Sequence, residues 1–192
     1  MIQEVKSQIL DLFGIKVVSL KRRLEEGGLI LELCRLRDLP VLHSLFSPEI
    51  LLEAGGIGHR VFVSLFSFWI WLKRTFHMVY IIEVEEMGSR RIIGFAGLYD
   101  MKVGESLWLS LTVFDPKDRR RGYGKQAAGL LFECLRKKGR ARTVFVEILR
   151  ENVPSLHFFR KLGFEVHSSF THPIFPQGRE GTSVLTLEKS LT

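Results

Sequence analysis

Two apolar, strand-like runs, Leu107 to Phe114 and Thr143 to Leu149, bracket a single helical stretch from Tyr123 to Lys138, and this order constrains the chain more than any other feature in it. A strand that is followed by a helix and then by a second strand of the same sheet returns parallel to the first through a right-handed crossover. Further strand candidates are Leu29 to Arg35, Val79 to Glu85, Ile92 to Tyr99, Phe164 to Phe170 and Ser183 to Glu188, several of them continuous apolar runs, as in a sheet covered on both faces. Helical stretches are read at Leu39 to Phe46, in the tryptophan-bearing segment up to about Phe76, and at about Pro154 to Leu162, where Pro154 suits a first turn and Gly163 a stop. The fold class is therefore mixed α/β, with about seven strands and about four helices.

The first 28 residues read differently. Ile2, Val5, Ile9, Leu10, Phe13, Val17, Leu20 and Leu24 recur at near-helical spacing, and Gly27-Gly28 closes the segment. The expected organisation is a helical extension over 1–28 and one domain over 29–192. A length of 192 residues, 46% apolar and 26% charged residues and a mean hydropathy of +0.12 fit one globular domain and exclude a fibrous or disordered chain. The longest apolar run, Val61 to Leu72, falls short of the roughly 20 residues of a spanning helix, so no membrane crossing is expected. Cys34 and Cys134 each lie in an apolar run and read as reduced thiols, and with no apolar leader at the amino terminus the expectation is a cytoplasmic protein.

A net charge of +7 favours an anionic partner. The place for it is Leu111-Thr112-Val113-Phe114-Asp115-Pro116-Lys117-Asp118-Arg119-Arg120-Arg121-Gly122-Tyr123-Gly124-Lys125, a strand, a proline-marked loop and a glycine pair opening a helix. Free N–H groups and the macrodipole at a helix start attract phosphate, glycines let oxygens approach the main chain, and Arg119, Arg120, Arg121 and Lys125 supply cations. Gly122-x-Gly124-x-x-Ala127 with Glu147 downstream also satisfies a dinucleotide fingerprint, but seven residues, Asp115 to Arg121, separate the strand from Gly122. A P-loop would need a glycine at Arg119 and a hydroxyl residue at Gln126.

At this loop the chain resembles the GNAT superfamily of acetyl-CoA-dependent N-acetyltransferases, whose Gln/Arg-x-x-Gly-x-Gly/Ala motif is matched by Arg119-x-x-Gly122-x-Gly124. Asn152-Val153-Pro154-Ser155-Leu156-His157-Phe158-Phe159-Arg160-Lys161-Leu162-Gly163-Phe164 is similar to the family's Asn-x-x-Ala-x-x-x-Tyr-x-Lys-x-Gly-Phe block, and the likeness spans about Leu29 to Glu188. It implies a mostly antiparallel central sheet that splays at the cofactor strand. It also implies that the backbone of Leu111, Thr112 and Val113 pairs with the pantetheine arm of acetyl-CoA, that Arg119, Arg120, Arg121, Gly122, Tyr123, Gly124 and Lys125 hold its pyrophosphate, and that Asn152 contacts its arm. In the branch that acetylates ribosomal and other protein amino termini a glutamate on the strand before the asparagine block is the base, and Glu147 has that spacing; Phe175 to Gly181 resembles a turn of the same branch. The departure is Phe159, where the family commonly carries a proton-donating tyrosine. Tyr99, Ser155, water or an unaided thiolate are the substitutes.

The expected activity is direct transfer of an acetyl group to a primary amine, a small molecule or a peptide or protein amino terminus, with no metal. At pH 7 freeing a lysine amine with a pKa of about 10.4 costs near 4.6 kcal/mol, and an α-amine at about 7.7 to 8.0 only roughly 1, so a single base suits the α-amine. By strand alternation Glu147 shares a face with Phe145 and Leu149, and partial burial there would make it a better base; Glu105 and Asp100 are secondary candidates. His157 reads as a packing or surface residue rather than a base. Phe62, Phe66, Phe68, Trp69, Trp71 and Phe76 read as core, with an acceptor groove or a homodimer surface as the alternatives. The rival functions are a non-catalytic acyl-CoA-binding module and, further off, a nicotinamide-dependent oxidoreductase. No basic stripe interleaved with aromatics is present, so nucleic acid is not an expected partner.

Overall fold

The computed structural model describes residues 20–46, 64–172 and 182–191. Among them are eight strands: β1 (Arg23–Glu26), β2 (Leu29–Leu33), β3 (Met78–Glu86), β4 (Ser89–Lys102), β5 (Ser106–Val113), β6 (Thr143–Leu149), β7 (Glu165–His172) and β8 (Thr182–Ser190). They form one mixed sheet in the order β1-β2-β3-β4-β5-β6-β8-β7. Only the β5–β6 pairing is parallel; the others are antiparallel. A doubly wound parallel sheet, which the dinucleotide alternative requires, is not what these strands build. Among the described residues four α-helices accompany them: α1 (Leu39–Leu45), α2 (Leu65–Thr75), α3 (Tyr123–Lys137) and α4 (Val153–Lys161).

Helical periodicity misleads between residues 23 and 26. Gly27 and Gly28 have φ of 54° and 81°, and Glu26 pairs with Leu29, so the two glycines form the two-residue loop of a hairpin rather than the end of a helix. Leu20 and Leu24 point into the core all the same. The rest of the expected helical extension, residues 1–19, lies outside the described residues, as do Phe62 and the Phe175 to Gly181 turn.

Two cores flank the sheet. On one face α3 sets Ala127, Ala128, Leu131 and Leu135 against Leu107, Leu109, Val144 and Val146, and α4 adds Leu156 and Phe159. Both helices belong to crossovers that run the same way across the sheet, β5–α3–β6 and β6–α4–β7, so right-handedness puts them on the same side. On the other face α1 and α2 cover Ile81 and Phe95 with Leu42, Phe46, Phe68, Trp71, Leu72 and Phe76. Phe68, Trp71 and Phe76 are thus core residues; Phe66 is exposed. Gly97 on β4 makes room for the Phe76 ring, whose Cε1 would lie 2.4 Å from an added Cβ.

The feature that positions the site is a divergence. β5 pairs with β6 only at Ser106↔Thr143, Leu107↔Val144 and Trp108↔Phe145. Beyond Trp108, β5 stays with β4 as far as Gly94↔Val113, and β6 follows β8 as far as Leu149↔Val184. The sheet therefore splits between Leu109–Val113 and Val146–Leu149. Close contact on the β4 side helps hold β5 there: a Cβ at Gly94 would come within 2.2 Å of the Thr112 carbonyl oxygen.

Candidate active site

Backbone alternation decides which polar groups face the split. Phe114 N–H donates to the Ile93 carbonyl on β4 at 2.9 Å, so Thr112 also turns toward β4 and Leu111 and Val113 turn their N–H and C=O the other way. The Val113 carbonyl accepts from Arg119 Nε at 3.0 Å, and Arg119 Nη2 donates to the Phe114 carbonyl at 3.2 Å. Arg119 thereby closes the upper end of the gap and leaves the backbone of Leu111 facing into it. This first arginine of the motif engages the main chain at the end of β5.

The loop that follows is braced from beneath. Asp115 caps the 3-10 turn Pro116–Asp118 by accepting from Lys117 N–H at 2.9 Å. Asp118 is buried, and its carboxylate accepts from Arg91 Nη1 at 2.6 Å and Nη2 at 2.9 Å, a two-pronged pair between β4 and the loop. That hydrogen-bonded pairing holds the Asp118 carboxyl below the ordinary carboxylate range, against the opposing effect of burial. Arg121 Nη2 lies 3.3 Å from Glu86, which also accepts from the Tyr123 hydroxyl at 3.2 Å, and the Arg121 guanidinium sits 5.0 Å from the Tyr123 ring centroid. Gln126 Nε2 ties α3 to the β1–β2 turn through the Glu26 carbonyl at 2.7 Å.

On this bracing the chain adopts two left-handed conformations, Arg120 with φ of 62° and Gly122 with φ of 87°. Gly122 is the N-cap of α3, and no side chain caps the helix, so its first-turn N–H groups face outward. Arg120 and Lys125 are exposed there, and among the described residues neither has an ion-pair partner. A bare helix start, a left-handed glycine and two uncommitted cations fit a diphosphate. The two glycines do different work: a Cβ on Gly122 would meet nothing within 4 Å, whereas one on Gly124 would touch the Phe158 ring at 3.3 Å. Gly122 supplies the backbone conformation, and Gly124 lets α4 close against α3.

On the face of α1 and α2, at the level where the split opens, Glu147 stands exposed on β6 beside Phe145 and Leu149 and opposite Thr186 of β8. The shared face is as expected; the partial burial is not, because β6 here borders the open gap. Burial and then the charges of Glu147 and Asp100 hold the Tyr99 phenol above its ordinary range, so it keeps its proton at neutral pH. The Tyr99 ring stacks on Trp108, with centroids 6.1 Å apart. Glu105 lies at the closed end, where its carbonyl accepts from Arg142 and Thr143 N–H, and Asp100 is at the same end beside the β4–β5 turn. Neither faces the opening.

Asn152 is the N-cap of α4, with Oδ1 accepting from Ser155 N–H at 3.2 Å. Phe159 is buried edge-on against Phe158 and Phe164, with centroids 5.0 and 5.2 Å away. His157 is exposed, and the side chain of His172 lies outside the described residues. Arg91 and Glu86 reach the loop from β4 and β3 and leave no local pattern in the sequence. Among the described residues there is no cluster of metal-ligating side chains and no helix long and apolar enough to cross a membrane.

A family model described as an acetyltransferase (GNAT) domain matches residues 28–165. No curated protein sequence matches the chain significantly. Among solved structures, the GNAT-family acetyltransferase from Bacillus anthracis superposes with a TM-score of 0.70 at 16% identity, over 88% of this chain and 98% of that one. Spermidine N-acetyltransferase from Vibrio cholerae in complex with CoA and spermine gives 0.71 at 13% identity, over 86% and 97%. An acetyltransferase from Salmonella typhimurium that modifies the N-terminal serine of a 50S ribosomal subunit protein gives 0.70 at 13% identity, over 86% and 96%. At these identities the likeness is one of fold.

Proposed function

Since the chain belongs to the GNAT acetyltransferase family and is an acyltransferase, we propose that it transfers acetyl from acetyl-CoA to a primary amine at the mouth of the β5–β6 split, with an α-amine as the favoured acceptor. The observation that carries this reading is the placement of the split between a bare, cation-flanked start of α3 and the carboxylate of Glu147. In it, the first-turn N–H groups of α3 with Arg120 and Lys125 hold the diphosphate, and the backbone of Leu111 pairs with the arm. Arg119 and Arg121 shape the loop through Val113, Phe114, Glu86 and Asp118. The bound co-substrate supplies an activated acyl group on a thiol leaving group.

The protein's own part is to orient the amine and move its protons. An ammonium cannot attack. Glu147 takes the proton from the amine, directly or through one water, and an exposed carboxylate is adequate for an α-amine, whose deprotonation at pH 7 costs only roughly 1 kcal/mol. Phe159 has no proton to return to the sulfur, and Tyr99, which keeps its proton, is one of the hydroxyls on the face of Glu147. The neighbours acting on a polyamine and on a protein amino terminus support an amine acceptor and do not choose between the two. Mass spectrometry of reactions containing acetyl-CoA and polyamines, aminoglycosides, free amino acids, or peptides with free and blocked amino termini tests the proposal. Acetylation of free α-amines is expected. Modification confined to lysine side chains overturns the α-amine preference, and no transfer to any amine overturns the function.

A further inference from the structure

Two carboxylates and two guanidiniums close into a ring beside the start of α3. Arg91 of β4 pairs with Asp118 of the loop at 2.6 Å, Asp118 with Arg121 at 3.6 Å, Arg121 with Glu86 of β3 at 3.3 Å, and Glu86 with Arg91 at 3.7 Å. The charges alternate around the ring and sum to zero. Asp118 is its buried member, with a side chain 1% exposed, whereas those of Arg91, Glu86 and Arg121 are 39%, 45% and 49% exposed. Isolated exposed ion pairs contribute little, but these are fixed to one another and anchored on a buried, two-pronged pair. Tyr123, the first residue of α3, joins them by donating its hydroxyl to Glu86 at 3.2 Å.

Arg121, held by both acids of the ring, stands between two left-handed residues, Arg120 with φ of 62° and Gly122 with φ of 87°. A non-glycine residue at such a φ is strained and persists only where its surroundings hold it. Successive backbone N–H groups in turns of this kind form concavities that bind anions. From this geometry we infer that Arg91, Asp118 and Glu86 are positioning residues for the acetyl donor: through Arg121 they fix the main chain of residues 120–122 in the conformation that receives the diphosphate. Arg121 then contributes its backbone N–H, and its charge is spent within the ring. The inference rests on the transfer reading above and extends it to three residues that act without touching the donor. Simple charge predicts the opposite sign, because taking a negative carboxylate away from an anion's neighbourhood strengthens the attraction.

Calorimetric titration with coenzyme A tests this on wild type, on Asp118→Asn, and on Arg91→Lys, which keeps the charge and loses the two-pronged geometry. Both variants should bind coenzyme A about tenfold more weakly, the scale of lost preorganisation at a few side chains. At saturating acetyl-CoA their kcat should match wild type, and acetylpantetheine, a thioester donor without a diphosphate, should serve them as well as it serves wild type. Unchanged or tighter coenzyme A affinity in Asp118→Asn, or wild-type affinity in Arg91→Lys, overturns the inference. An equal loss with acetylpantetheine does so too, since it marks a general loosening of the fold. If Asp118→Asn does not fold, Arg91→Lys decides. Wild-type protein that binds no coenzyme A overturns the transfer reading together with this one, whereas wild-type binding and transfer matched by both variants overturns this one alone.

Discussion

At the scale of single residues the site separates chemistry from scaffolding. Glu147→Gln keeps the size of the side chain and removes the proposed base, so turnover should fall by about 10² or more, within the usual range for general-base catalysis, with coenzyme A affinity unchanged; steady-state kinetics and titration together check this. Full activity in the variant would remove Glu147 from the mechanism. Asp118→Asn should leave the motif intact and loosen what lies beneath it. The carboxylate is buried but Arg91 is 39% exposed, so the loss belongs near the low end of the roughly 1.5–3 kcal/mol of a charge-assisted hydrogen bond. The folded-state pKa of Asp118 is depressed, so its contribution is fully present above the unfolded value of about 3.9 and disappears as pH falls through the folded one. Urea unfolding should therefore separate Asp118→Asn from wild type at pH 7 and bring the two together in strong acid. Gly122→Ala tests backbone strain alone, since a Cβ there has open space. It should cost about 1–2 kcal/mol, with Asn the better replacement because it visits the left-handed region more readily.

At the scale of elements the arrangement depends on close packing at a few contacts. Gly97→Ala drives a methyl into the Phe76 ring, and α2 has to move off β4. The expected destabilisation is about 1–3 kcal/mol by thermal or urea unfolding, and Gly97→Ala with Phe76→Leu should recover part of it. Most strand and helix candidates were readable from periodicity: β6 was expected at Thr143 to Leu149 and is observed there, and α3 differs from its expected span by one residue. The failure at β1 is instructive. Leu20 and Leu24 lie at helical spacing, but the left-handed Gly-Gly turn and pairing with Leu31 place Leu24 on the core face of a strand. Two apolar residues four apart satisfy either period, so local pattern alone cannot separate them.

At the scale of the whole molecule the exposed charges near the split differ in sign from one side to the other. Arg120 and Lys125 border the start of α3, and Glu147 stands exposed on β6 across the split. Affinity for coenzyme A should fall as ionic strength rises, because both cations are exposed and screened over about 10 Å at 0.1 M salt. The double change Arg120→Gln and Lys125→Gln should flatten that dependence, as read by titration at several salt concentrations. The linear order of residues determined the crossover, the candidate anion-binding turn with its glycine pair, the candidate base and the family, because each is written in residues adjacent or regularly spaced along the chain. Only the tertiary structure decided that Arg119 holds the end of β5, that Asp118 is neutralised by Arg91 from another strand, that Gly124 serves Phe158, and that Arg91, Asp118, Arg121 and Glu86 close one ring. Those contacts join positions far apart in the chain, and their geometry comes from strand register and from the side on which each crossover returns, which no local pattern encodes.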